Sequence, residues 1–284
     1  MSGIALAADT GLRASVNYVD PGKIGPEGLI FNFDQAWSGI PIDTRSVDVA
    51  DAAMLEIPAR LDVQGFQTMR IGCPDLGNLP LEEIERHWVP AVKGQLQELT
   101  GADAVACWGF SMRFSESKAD APRSDVSNPA RRVHADFSPA EFGEEIRHRL
   151  TREAIERIAD GRKLKRWFGL NAWQTYSAPP YDTPLAVCDI RTMTLDDLVI
   201  GTGSAPSNPG LKLDLSLFSY SPAHRWYYYS QMAPDEVLVF QGIDSAERGN
   251  WRIVPHTAID NPLCPAGSAP RCSVEMRTMA LYFA

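Results

Sequence analysis

Along most of this chain, apolar positions alternate with polar ones or fall in short β-branched and aromatic runs, which predicts strands. The first are SVNYVD and LIFNFD within residues 15–33, separated by the turn-rich PGKIGPEG, while residues 34–60 show no clear period. GFQTMRI (65–71) predicts another strand. The period then changes. In LPLEEIERHWVPAVKGQLQELTGA (79–102), Ile84, Trp88, Val92 and Leu96 recur every four residues, and Gly101 supplies a stop. Pro90 falls inside this helical stripe and predicts a kink or a break into two helices. ADAVACWGFSMRF (102–114) returns to strand character, and the polar SESKADAPRSDVSNPARR (115–132) reads as a loop able to act as a lid. RVHADF (132–137) predicts a strand, after which Ser138-Pro139-Ala140-Glu141 opens a helix with a capping box. Phe142, Ile146, Leu150 and Ile158 form that helix's apolar stripe. From residue 167 the strands FGLNAWQTY, LAVCDIRTM, LDLSLFSY, RWYYYSQM, EVLVFQGID and RCSVEMRTMALYFA follow one another across turn signals.

Such a series predicts a mainly β protein with flanking helices, closed as a sandwich or barrel. The layout reads as helices first and an all-β core afterwards, in a single domain over residues 1–284. N-terminal strands and helices would occupy 1–131, and the main β segment 132–284. A chain of 284 residues can bury a core without disulfides or structural metals. Apolar residues at 44% and charged residues at 22% fit a globular chain. No internal repeat is visible. No run approaches about 20 apolar residues, and the start lacks a signal peptide's basic flank, so a cytoplasmic protein with no membrane partner is expected. The five cysteines form no CxxC pair, which argues against a disulfide framework or a zinc site. A net charge of −9 without a basic run argues against nucleic acid as a partner.

Chemistry enters at His134 and Asp136. Residues two apart on a strand share a face, so an imidazole nitrogen and a carboxylate oxygen project together. A third ligand from a distant strand would complete a two-histidine, one-carboxylate triad, which leaves three metal positions open for a bidentate cosubstrate and dioxygen. His87 and His148 lie on predicted helices among charged residues. His224, at the start of an aromatic strand, competes with His256, which ends a strand at a turn; His256 is the better third ligand. On the last strand Arg271, Ser273, Glu275 and Arg277 share one face. A dicarboxylate cosubstrate needs a cation for its far end, ideally a guanidinium fork, and Arg271 with Ser273 or, alternatively, Arg277 fits. No glycine-rich strand-to-helix turn of the nucleotide-binding type is present, which disfavours a methyltransferase.

Several blocks then carry a resemblance. TGADAVACWGFSMR (100–113), RVHADFSP (132–139), NAWQTY (171–176), PLAVCDIRTM (184–193), SPAHRWYYYSQMAPDEVLVFQGIDS (221–245), PHTAIDNP (255–262) and RCSVEMR (271–277) resemble the CmcJ/NvfI-type oxygenases of secondary metabolism, in that family's order. The CWGF variant and the alanine between the two ligands depart from the family pattern without touching the chemistry. The resemblance implies a double-stranded β-helix (a jelly roll, cupin-like), Fe(II), 2-oxoglutarate and O2. The substrate would be a small molecule that is hydroxylated, desaturated or cyclised, with succinate and CO2 as coproducts. His134, Asp136 and His256 would be the metal ligands, and Arg271, Ser273, Arg277 and Tyr228 candidates for the cosubstrate. Asn171, Trp173, Arg191 and Trp226 would be candidates for the pocket wall, although Trp226 and Tyr228 equally suit a plain core. The rival functions are an iron oxygenase or oxidase of this fold that does not use 2-oxoglutarate, and a non-catalytic binding relative.

Overall fold

A computed structural model describes residues 11–32, 37–72, 76–115, 126–139, 152–247 and 252–284. Residues 140–151 of the helix expected from residue 138, and most of the expected lid, lie outside the described residues, while Ile158 of its expected stripe lies in a described helix. In chain order the elements are β1 (Leu12–Val19), β2 (Leu29–Asn32), β3 (Ile42–Asp51), β4 (Phe66–Arg70), α1 (Leu81–Thr100), β5 (Ala104–Phe114), β6 (Val126–Ser127), β7 (His134–Ala135) and α2 (Arg152–Ala159). There follow β8 (Leu164–Thr175), β9 (Leu185–Cys188), β10 (Leu198–Ala205), β11 (Asn208–Phe218), β12 (Trp226–Tyr228), β13 (Glu236–Asp244), β14 (His256–Ala258) and β15 (Cys272–Phe283). Two sheets form among the described residues, one in the order β1-β3-β12-β9-β14-β7-β11-β10-β2 and one in the order β4-β13-β8-β15-β5-β6. They face each other in the jelly-roll arrangement. Strands before residue 132 enter both sheets. The expected order, helices first and an all-β core afterwards, is therefore corrected: the N-terminal strands are part of the same two sheets.

The long strands β8 and β15 pair through eleven registered residues from Ser273↔Thr175 to Phe283↔Leu164, and alternation sorts their side chains. Leu170, Ala172, Val274, Met276 and Ala280 join Ile84, Trp88, Val92 and Leu96 of α1 in one buried cluster, so the helix covers the outer face of the second sheet. Helix α1 is continuous through Pro90, contrary to the expected break. A proline inside a helix costs roughly 3 kcal/mol, whereas each fully buried large apolar side chain contributes about 1.5–3 kcal/mol. Four such side chains hold both halves down. Pro90 and Arg86 are both exposed, so the carbonyl that loses its amide partner faces water.

Three strands were not legible: β6 falls in the segment read as a loop, and the other two are longer. β3 lies in the stretch without a period, because most of its side chains are exposed or half-buried and its eight rungs with β1 are backbone pairing. β10 carries Gly201 and Gly203, which weaken strand character in the sequence. A methyl group at Gly201 would come within 3.0 Å of Leu217 and 3.1 Å of Leu29. The strand expected over 132–137 is shorter than its pattern, ending at Ala135. Beyond it Phe137 drives into the opposite sheet, where a Cβ at Gly169 or Gly242 would lie 2.5 Å or 2.2 Å from its ring. That recess carries the intervening residue, Asp136, toward β8 and β15.

Candidate metal centre

His134 and His256 face each other on neighbouring strands, opposite members of a single β7–β14 rung. Their ring centroids are 4.2 Å apart at 49°. Each imidazole is tethered to a backbone carbonyl two positions earlier. Nδ1 of His134 donates to the Arg132 oxygen at 2.8 Å, and Nδ1 of His256 donates to the Val254 oxygen at 3.4 Å. That tautomer leaves both Nε2 lone pairs for a ligand, as a metal-binding histidine requires. Asp136 turns its Oδ2 to within 3.7 Å of His256 Nε2. One donor atom from each of the three residues lies within 4.8 Å of the others, and all three residues are buried. Among the described residues this is the group that could hold a metal ion.

Burial sets the protonation states. Desolvation, reinforced by His134, pushes the His256 imidazole down to about 3, and His134 is also lowered by burial. Both rings are thus neutral donors at pH 7. Burial alone would raise Asp136, but the Arg277 guanidinium and the two imidazoles outweigh it and keep the carboxylate ionised. Glu275 is likewise opposed by burial, yet Arg113 and Arg277 bring it down to about 2.

The alternation of β15 brings Ser273, Glu275 and Arg277 opposite Thr175, Trp173 and Asn171. The two arginines have different environments. Arg277 donates from Nε to Asp136 Oδ1 at 2.9 Å and from Nη2 to Glu275 Oε1 at 2.6 Å. Arg271 is 2% exposed and is not ion-paired to a carboxylate among the described residues; its Nη1 donates to Ser273 Oγ and its Nε has no hydrogen-bond partner there. Its guanidinium lies 5.4 Å from the Trp173 ring, and burial pushes it down to about 10. A buried cation with an unmet donor is a high-cost feature unless an anion completes it. A cavity of about 20 Å³ adjoins His134, His256, Trp173, Arg271, Glu275 and Arg113. Larger open clefts of about 510 and 560 Å³ lie elsewhere on the surface and contain none of the three donors.

Asn171 also reaches the centre, donating its amide to Asp136 Oδ2. Trp226, Tyr228 and Arg191 are placed otherwise. The Trp226 indole donates to Tyr18 Oη at 2.8 Å, and Tyr228 packs in the same cluster. The ring of that strand that meets Phe66, at 5.7 Å, is Tyr227, which packs in the cluster containing Trp173 and Phe240. Trp226 and Tyr228 thus pack the core, and their candidacy for the pocket wall and the cosubstrate is not met. Arg191 is a half-exposed cation ion-paired with Asp189, which caps a turn. The competing His224 is committed to Tyr18 Oη at 3.1 Å and Asp197 at 3.4 Å. His87 is an exposed partner of Glu83, and His148 lies outside the described residues.

Three neighbours of the centre escaped sequence reasoning. Trp37 sets its ring edge-on to His134 at 4.9 Å, with a backbone φ of 62°. It comes from the stretch without a period and gave no signal. Phe240 packs 4.7 Å from His256, and in EVLVF it is indistinguishable from any core phenylalanine. Arg113 was the readable one, as a cation inside an otherwise apolar strand.

A family model described as an oxidoreductase/YMDC permease-like domain matches residues 16–281. The Fe(II)/2-oxoglutarate-dependent dioxygenase nvfI of Aspergillus novofumigatus is 30% identical over 200 residues, covering 69% of this chain and 66% of that protein. The hydroxylase/desaturase efuI of Hormonema carpetanum is 30% identical over 258 residues, covering 84% of each.

The chain belongs to the NvfI-type family of Fe(II)/2-oxoglutarate-dependent oxygenases.

An NvfI-type fold follows independently from coordinates. A solved structure of the iron and alpha-ketoglutarate-dependent endoperoxidase NvfI superposes with a TM-score of 0.79 over 97% of this chain and 99% of its own, at 22% identity. The donor set tests the family's metal and cosubstrate against these residues, and they fit. Two neutral imidazoles and one carboxylate match the open triad of such enzymes. The unmet donor of Arg271 suits a cosubstrate carboxylate.

Proposed function

We propose that His134, Asp136 and His256 hold Fe(II), and that Arg271, set by Ser273 and Trp173, takes the distal carboxylate of 2-oxoglutarate. The observation that carries this reading is the convergence of three buried donors beside a buried guanidinium whose Nε has no hydrogen-bond partner. When bound, Fe(II) with 2-oxoglutarate and O2 supplies oxidation of an unactivated C–H bond, with succinate and CO2 as coproducts. The chain's own part is holding, orienting and excluding. The Arg132 and Val254 carbonyls fix the two imidazole planes. Arg271 offers a fork whose two-point grip would set the cosubstrate's direction as well as its affinity. Trp173, Trp37 and Phe240 exclude water around the donors.

The substrate in this reading is a small molecule that is hydroxylated, desaturated or cyclised. Relatives described as hydroxylase/desaturase and as endoperoxidase support that range. A cytoplasmic setting without nucleic-acid or membrane partners suits the net charge of −9 and the free thiols Cys107, Cys188, Cys264 and Cys272. We take residues 1–284 as one domain, because strands from both halves of the chain share each sheet.

The test is turnover of 2-oxoglutarate. Protein loaded anaerobically with Fe(II) and then exposed to O2 is expected to form succinate in step with oxygen uptake. His134→Ala is expected to abolish it. Oxygen consumption without succinate would instead favour an iron oxygenase of this fold that does not use 2-oxoglutarate.

A further inference from the structure

We propose that Arg277 is a positioning residue that fixes Asp136 as a one-oxygen metal ligand, and that Glu275 and Arg113 hold Arg277 in place. This rests on the reading of His134, Asp136 and His256 as a metal centre.

A carboxylate has about four acceptor sites, two on each oxygen. Oδ1 of Asp136 accepts from Arg277 Nε at 2.9 Å. Oδ2 accepts the Asn171 amide and is the oxygen turned toward His256 Nε2, at 3.7 Å. An untethered carboxylate could rotate or chelate through both oxygens, and chelation would consume one of the three positions that the cosubstrate and dioxygen need. The ladder ends at Ala135, so Asp136 lies just beyond the strand, and its carboxylate is held by Arg277 and Asn171.

Arg277 is held at its other end. Its Nη2 donates to Glu275 Oε1 at 2.6 Å, and the same oxygen accepts from Arg113 Nη2. Arg113 Nη1 then reaches Ser127 Oγ at 2.7 Å and the Asn128 carbonyl at 3.2 Å. A continuous chain of charged hydrogen bonds thus runs from the metal-facing carboxylate to β6 and the residue after it. Gly109 lies opposite Arg277 on β5. With its charge answered by two carboxylates, Arg277 is unsuited to a third. Arg271, just before β15, and Arg277 within it therefore divide the work, one for the cosubstrate and one for the metal ligand.

Mn(II) titration, followed by the electron paramagnetic resonance signal of the free ion, measures metal binding without turnover. Arg277→Met is expected to weaken Mn(II) binding roughly 10- to 100-fold, the usual cost of losing a partner behind a metal ligand. Arg277→Lys should recover part of that loss, which a packing role would not allow. Arg271→Met should bind Mn(II) as the parent does, but fail to form the visible charge-transfer band of the anaerobic Fe(II)–2-oxoglutarate complex. Arg277→Met should still form that band once saturated with metal. If Arg277→Met does not fold, Glu275→Gln replaces it and should weaken Mn(II) binding in the same direction. Parent-like affinity in a folded Arg277→Met or Glu275→Gln protein overturns this proposal alone. Failure of the parent chain to bind Mn(II) overturns the metal-centre reading beneath it.

Discussion

Arg271 is the residue whose environment most constrains function, since a buried guanidinium with an unmet Nε carries a cost that a bound anion would relieve. Charged hydrogen bonds contribute about 1.5–3 kcal/mol each, so Arg271→Ala should raise the KM for 2-oxoglutarate by roughly 10- to 100-fold at saturating iron. Lysine at that position keeps the charge but loses the planar fork, and should fall between. Succinate formation against 2-oxoglutarate concentration measures both. The sequence carried this site unevenly. The face of β15 was legible because a strand's period of two aligns it; His134 and Asp136 were legible as a pair two apart, although the strand ends at Ala135 and Asp136 reaches the centre from just beyond it. The choice between Arg271 and Arg277 was not, because the two share that face. It is made by Asp136 and Trp173, which come from other elements, and by Glu275, which lies on the same face but pairs with only one of the two. In β12 alternation placed Trp226 and Tyr228 in the core, but it does not say which interior cluster a buried ring joins, and theirs is not the one beside the centre.

At the scale of elements, the recess that receives Phe137 links a packing detail to the site. A methyl group at Gly169 or Gly242 would push that ring, and overpacking of a filled core costs typically 1–3 kcal/mol. Gly242→Ala is therefore expected to lower the melting temperature and, by shifting the segment that carries Asp136, to weaken metal binding as well. Calorimetry and Mn(II) titration on one protein would show both changes or refute the link. Helix α1 gives the opposite expectation. Pro90 is exposed on a helix held by four buried side chains. Pro90→Ala should thus stabilise the protein, by up to about 3 kcal/mol, with turnover unchanged. The stripe of α1 and the long strands were readable because one face of each is apolar. β3 and β10 were not, since backbone pairing builds the first and close glycine packing the second.

Across the whole molecule, acid should act first through the centre. Both imidazoles are held neutral when folded, His256 down to about 3, while in the unfolded chain each protonates near 6.5. The unfolded state therefore binds more protons as pH falls below 6.5, and stability declines as it does; for His256 the decline runs down to about 3, at up to roughly 1 kcal/mol per pH unit, and His134 acts in the same direction. Asp136 and Glu275 add to the loss at the acid end, because their lowered values stabilise the fold only above the ordinary carboxylate range. Melting temperature against pH on metal-free protein should fall steadily from about pH 7 to about pH 4. Saturating metal at about 100 times its Kd should add about 2.7 kcal/mol near neutrality, a gain that shrinks in acid as protons compete for the imidazoles. The single rung shared by His134 and His256 has one more consequence. Sliding either strand by one position would turn its imidazole out of the interior, so a bound ion acts as a rivet through the seam between β7 and β14. Loading the metal should then slow hydrogen exchange most at the amides along that seam, far more than in α1 on the outer face.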